Sequence, residues 1–251
     1  MINYNINLVY KILEEFGVPK HIYIFTSDSL QYGEDLPSQL TIDKHIVSLF
    51  CGASQICFFC NDLNYVVKIP IYYGEETYTD DDGEEKSELY KYCGALDNNN
   101  GSNYCEEAFI RYQQACEYDV NEFFAEIEKV GNWGETPVYV QEKCELFSKR
   151  YDESEELFPE TKSTHGLTRK EKREIKRLGI RKSQVIEYCT HNKIKVFNWF
   201  FQEQLIKQAG ASRFLKLMDF IDKFSIDDLH SDNIGYINQK CVLIDYASFE
   251  D

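Results

Sequence analysis

With 251 residues, 43% of them hydrophobic and 15% aromatic, the chain is globular and long enough to bury one large core or two closely packed lobes. Its formal net charge of -16 argues against nucleic acid as a partner, because a general nucleic-acid binder needs basic surface to displace counterions. Nine cysteines fall into no disulfide framework, no secretory apolar core opens the chain and no run reaches the length of a membrane span, so a reduced, cytoplasmic protein with no membrane partner is expected.

Apolar residues at helical spacing over Asn5–Phe16, stopped by Gly17, predict a first helix; His21–Phe25 reads as a strand and Ser27–Thr41 as loop. From His45 the period changes to that of strands. Ile46–Cys51, Gln55–Cys60 and Tyr65–Ile71 are predicted as three consecutive antiparallel strands, joined by the small-residue turn Gly52-Ala53-Ser54 and by Asn61–Asn64. Lys68 lies in the apolar third strand. Its ammonium is costly to bury unpaired, so it either meets an anion or sits in water on an exposed edge, which Pro70 favours. Cys57 and Cys60 form a C-x-x-C, but residues three apart on a strand point to opposite faces, which counts against a zinc or redox pair.

Residues 72–103 are read as an insertion, because runs such as Thr79–Glu85 and Asp97–Ser102 are too acidic and polar to bury much apolar surface; a mobile surface loop is expected. A helix over 104–115 follows, with Glu106 and Glu107 in its first turn. Val120–Val130 reads as helix or helical turn broken by Gly131–Gly134, and Pro137–Cys144 as a strand running into a polar segment. Lys149–Thr164 is a polar, acidic loop. The segment 169–182 concentrates positive charge in an acidic chain; a solvated helix face and an anionic partner are the two readings. Ser183–His191, Val196–Gln208 and Phe214–Phe224 are predicted helices, with Trp199, Phe200, Leu205, Leu215, Leu217 and Phe220 as core candidates.

The last stretch, S-I-D-D-L-H-S-D-N-I-G-Y-I-N-Q-K-C-V-L-I-D-Y-A over 225–247, reads as a loop leading into a hairpin turned at Asn238-Gln239-Lys240. That hairpin delivers an amide, Asn233, and a carboxylate, Asp245, to one end, close in sequence to a second carboxylate, Asp228. Such a set suits a hard divalent cation and a hydroxyl nucleophile.

The string Asp228-Leu229-His230-Ser231-Asp232-Asn233, with Asp245 ending an apolar strand, resembles the catalytic loop and metal-binding aspartate of the protein-kinase-like superfamily, and more closely its aminoglycoside-phosphotransferase-like branch. Val66-Val67-Lys68-Ile69 resembles that fold's lysine strand. The resemblance implies an α+β, bilobal fold. Its N-lobe would be 1–143, an antiparallel sheet with one key helix, and its C-lobe 144–251, mainly α-helical, truncated at the C-terminus and carrying the catalytic loop 226–235.

It further implies ATP and Mg²⁺ as cofactors. Asp228 would orient the acceptor hydroxyl, Asn233 and Asp245 would hold magnesium, and Lys68 would contact the α- and β-phosphates. Glu107, with Glu106 as the alternative, would pair with Lys68. Gly52 and Ser54 would form a reduced phosphate loop, Gln141 would be the gatekeeper, and the Glu142 carbonyl and Cys144 amide would meet adenine. The activity implied is phosphotransfer to a hydroxyl of a protein or small molecule. The single loop glycine and D-Y-A in place of D-F-G leave a pseudokinase-type nucleotide-binding or interaction module as the alternative, and nucleotidyl transfer as a third. The neighbourhood implied is that of kinase-like proteins of bacteria and their phages, acting in the host cytoplasm if viral.

Overall fold

The computed structural model describes residues 2–20, 23–25, 36–52, 54–79, 83–93, 103–146, 199–226 and 233–247. The chain is α+β and separates into two compact units, Met1–Phe109 with Glu126–Lys143, and Ile110–Ala125 with Cys144–Asp251.

The first unit is built on a six-stranded antiparallel sheet. In chain order its strands are β2 (Gln39–Ile42), β3 (His45–Cys51), β4 (Gln55–Cys60), β5 (Tyr65–Pro70), β8 (Ile127–Trp133) and β9 (Thr136–Glu142), and across the sheet they run β2-β3-β4-β5-β9-β8. Helix α1 (Ile6–Glu15) lies on one face. Asn5 caps it, its Oδ1 accepting from the N–H groups of Asn7 at 3.0 Å and Leu8 at 3.3 Å.

A Schellman turn ends α1. Gly17, at φ +73°, donates to Glu14 and Val18 donates to Leu13, so the last carbonyls are met and Val18 is brought to lie among the buried residues with Leu13. Val9, Ile12, Leu13 and Phe16 then join Val47, Ile56, Phe58, Val67, Ile69, Val138 and Val140 in one core. Each such side chain contributes about 1.5–3 kcal/mol on burial. Beyond the helix, the Trp133 indole N–H donates to the Val18 carbonyl at 2.8 Å. Tyr10 stacks on that ring at 5.9 Å and the Lys20 ammonium lies 4.2 Å from its centroid.

Three expectations need correction. Residues 39–41, read as loop, form β2 together with Ile42; four residues suffice because the whole strand pairs with β3. The segment 72–103, read as a mobile acidic loop, contains the hairpin β6 (Tyr72–Thr79) and β7 (Glu85–Cys93), which with β1 (Tyr23–Phe25) makes a three-stranded sheet in the order β1-β7-β6. Here the register pairs Tyr72 with Tyr92, Tyr73 with Lys91, Thr77 with Ser87 and Tyr78 with Lys86, so strand-favouring tyrosines and threonines are interleaved with the acidic residues along the ladder. Finally, 120–130 is helical only over Asn121–Phe123; strand β8 then runs through Gly131, where a register shift between Lys129 and Gly131 keeps pairing with β9.

The second unit contains most of helix α2 (Tyr104–Glu117), helices α3 (Trp199–Ala209) and α4 (Ala211–Lys223), and a small antiparallel sheet of β10 (Glu145–Leu146), β11 (Ile234–Ile237) and β12 (Lys240–Leu243). Helix α4 buries Phe214, Leu217, Met218 and Ile221, positions that share one helical face, and also Phe220. Phe220 meets Phe124 at 5.5 Å and Phe224 at 4.6 Å, and Phe124 meets Tyr246 edge-on at 5.0 Å. The expected basic segment 169–182, the loop 149–164 and the helix 183–191 lie outside the described residues, as do 94–102 of the insertion.

Two consequences of this core are measurable. Tyr246 is fully buried and its hydroxyl donates to the Ala125 carbonyl at 2.7 Å. Tyr246→Phe removes that donor and lowers stability by about 1–2 kcal/mol, read from the urea midpoint; no shift would mean that the bond adds nothing. Burial also pushes the Cys241 thiol from its ordinary 9.0 up to about 12. Between those values the unfolded chain loses this proton and the folded chain keeps it, so the group's stability, complete below pH 9.0, is lost as pH rises toward 12. The expected slope is roughly 1.4 kcal/mol per pH unit, and Cys241→Ala should flatten it in urea titrations across that window.

Candidate functional site

Strand β5 is an interior strand, held by β4 on one side and β9 on the other, so Lys68 is not on an exposed edge. The register sets Cys57, Lys68, Tyr139 and Lys129 side by side in one row across β4, β5, β9 and β8. Directly paired residues share a face. This is the face opposite the α1 core, whose row is Phe58, Val67 and Val140. Lys68 is only 8% exposed there. Burial of an ammonium at that level requires compensation by anions or acceptors.

The start of α2 supplies polar groups to the same face. Asn103 caps the helix, its Oδ1 accepting from the Glu106 N–H at 2.9 Å, while its Nδ2 donates to the Tyr139 hydroxyl at 3.3 Å. Glu106 Oε2 accepts from the Lys129 ammonium at 2.6 Å and from the Tyr139 hydroxyl. Burial, reinforced by the Glu106 carboxylate, holds the Tyr139 phenol far above its usual range, so it stays a neutral donor. Glu106 is thus committed to Lys129 and Tyr139; Glu107, the expected partner of Lys68, is half-buried one position further along α2. The Asn103–Glu106–Tyr139–Lys129 cluster was not foreseen from sequence, since its members come together only through the β8–β9 register.

The turn after β3 stands at the same end of the sheet. Gly52 is exposed and donates to the Gln55 carbonyl at 2.8 Å, and the Ser54 carbonyl accepts from Ile71 at 2.9 Å; Ala53 lies outside the described residues. Gln55 pairs with Pro70 and Cys57 with Lys68, which places the turn two residues of β5 beyond Lys68. At the other end of β9, Gln141 is buried, and Glu142 exchanges hydrogen bonds with Glu126: its N–H donates to the Glu126 carbonyl at 2.9 Å and its Oε2 accepts at 3.0 Å. Cys144 is half-buried and opens the second stretch of the second unit.

In the second unit the β11–β12 hairpin turns at Asn238 and Gln239, both at positive φ (49° and 69°), as a two-residue type I′ turn requires. The ladder closes at the far end with Ile234 opposite Leu243, and the Ile244 N–H donates to the Asn233 carbonyl at 2.9 Å. Asn233, 8% exposed, and Asp245, half-buried, are therefore brought to the open end of one hairpin. Asp228 and the rest of 227–232 lie outside the described residues.

Compared with known proteins, the chain matches no family model, no curated relative and no solved structure. Among the described residues no helix is long and apolar enough to cross a membrane.

Proposed function

We propose that the chain is an ATP- and Mg²⁺-dependent phosphotransferase of protein-kinase-like, bilobal fold, acting in the cytoplasm on a hydroxyl of a protein or small molecule. The observation that carries this reading is Lys68, an ammonium kept almost out of water on an interior strand, on the sheet face that the polar start of α2 also serves. Phosphate oxygens are a natural partner for such a group. The order of the sheet supports the same reading: four consecutive strands, β2 to β5, of which the last carries the lysine, then, after the β6–β7 hairpin, a helix bearing the acidic pair and two strands of which the second inserts beside the lysine strand.

In this reading Lys68 contacts the phosphates, Glu107 steadies it, and Gly52 and Ser54 lie over them. Backbone groups of Glu142 and Cys144 meet adenine, Asp228 orients the acceptor, and Asn233 and Asp245 hold magnesium. Bound magnesium would neutralise charge developing on the transferred phosphoryl group.

A pseudokinase-type module is the second reading, favoured by a phosphate turn with one glycine and by Tyr246 in the position after the metal aspartate, locked to the Ala125 carbonyl. Incubating the full chain with γ-labelled and α-labelled ATP separates the readings. Label moving only from the γ-phosphate supports phosphotransfer, label from the α-phosphate means nucleotidyl transfer, and neither means a binding module.

A further inference from the structure

Three side chains that the proposed phosphotransfer does not use meet at the opposite end of β4 from the Gly52 turn. His45 opens β3, Cys60 closes β4 and Asp62 lies in the turn to β5; the pairing of Val47 with Cys60 brings the start of β3 beside that turn. The Asp62 carboxylate bridges the other two, with Oδ2 2.7 Å from His45 Nδ1 and Oδ1 2.5 Å from Cys60 Sγ. One ligand-type atom from each residue lies within 4.8 Å of the other two. We propose that His45, Cys60 and Asp62 form a binding site for a zinc-type divalent cation, with its fourth position open to solvent.

Four physical points carry this. The donors are one imidazole nitrogen, one thiol sulfur and one carboxylate oxygen, a set that suits zinc and its neighbours and not calcium or magnesium, which take six or more oxygens. Bonds of about 2.0–2.3 Å in a tetrahedron set ligands roughly 3.3–3.8 Å apart, so the two hydrogen-bonded separations need to open by about 1 Å, which stays inside the span of the cluster. Charge balances as well: a thiolate and a carboxylate together neutralise a dication, so the filled site adds no net charge beside the core.

The setting is also both rigid and accessible. The Lys143 ammonium donates to the carbonyls of Cys60 at 3.0 Å and Asn61 at 2.5 Å, which fixes the turn that carries two of the three ligands. Cys60 is 1% exposed, whereas the Asp62 side chain is 52% exposed and the His45 side chain 14%. The sulfur is thus the inner ligand and the carboxylate faces water, which leaves a route in for the ion. Cys57 takes no part, because it pairs with Phe50 and Lys68 on the other face of the sheet from Cys60. The site is independent of the phosphotransferase reading, since it shares no residue with it.

The test is a titration of the metal-free full chain with Co²⁺, followed by competition with Zn²⁺. Expected are a thiolate-to-cobalt charge-transfer band that saturates at one equivalent, its bleaching by Zn²⁺, its loss in Cys60→Ser and its retention in Cys57→Ser. Asp62→Asn and His45→Gln should each weaken binding by about tenfold or more. No band at saturating cobalt, or a band that survives in Cys60→Ser, would overturn the proposal. Should Cys60→Ser fail to fold, unchanged affinity in Asp62→Asn, a half-exposed isosteric change, overturns it equally.

Discussion

If the chain is the phosphotransferase proposed above, Asp245→Ala is expected to reduce γ-phosphoryl transfer by about a thousandfold or more while leaving the fold intact. A metal ion stabilises developing charge by several kcal/mol, and each 1.4 kcal/mol is tenfold in rate. Asp245 is suited to the role because the β11–β12 ladder and the Ile244–Asn233 hydrogen bond hold it and Asn233 at one hairpin end. The side chain is only half-buried, so its removal opens little cavity, and an unchanged urea midpoint serves as the control. Transfer in this variant at the level of the parent protein would sink the metal assignment, and a reduced rate whose Mg²⁺ dependence matches that of the parent would reassign Asp245 to another step.

Gly134→Ala is expected to destabilise the first unit by about 3 kcal/mol or more. Gly134 has φ +63°, a conformation that costs any side chain about 1–2 kcal/mol. A Cβ there would also collide with the Lys20 backbone, meeting its carbonyl oxygen and lying 2.6 Å from its carbonyl carbon. That carbonyl accepts the Glu135 N–H at 2.8 Å, so relief of the clash breaks the tie between the segment after α1 and the β8–β9 turn. Gly17 supplies the comparison, with φ +73° and nothing within 4 Å of a built Cβ. Gly17→Ala should cost only about 1–2 kcal/mol, the backbone term alone. Equal shifts in the two urea midpoints would mean that the contact with Lys20 contributes nothing.

What was legible in the chain was local. The strands 45–51, 55–60 and 65–70 and the hairpin ending at Asp245 follow from alternation and short turns, and the α2 start follows from helical apolar spacing from Tyr104 with Glu106 and Glu107 in the first turn. Strand β2 escaped because four residues carry little periodic signal without their partner. The hairpin at 72–93 escaped because its acidic composition was weighed above its interleaved tyrosines and threonines. The start of strand β8 falls in the stretch 120–130 read as helix or helical turn and its end in the break at Gly131–Gly134, and only pairing with β9 decides otherwise. Of the candidate residues, the burial of Lys68 could not be read from its strand, since it depends on β9 inserting beside β5 from about 70 residues downstream. The cluster around Glu106 was invisible for the same reason, since the β8–β9 register and the start of α2 assemble it; that around Asp62 is local, and it is the β3–β4 register, Val47 opposite Cys60, that brings His45 to the turn.

The environment of Trp133 gives the protein an optical probe of its own. The indole is held at once by the Val18 carbonyl, the Tyr10 ring and the Lys20 ammonium, so its emission reports whether the first helix is docked on its sheet. The chain carries one other tryptophan, Trp199, so in a Trp199→Phe background fluorescence would follow the unfolding of one half of the molecule alone. Comparison of that curve with circular dichroism of the whole chain would reveal whether the two halves melt together or in sequence.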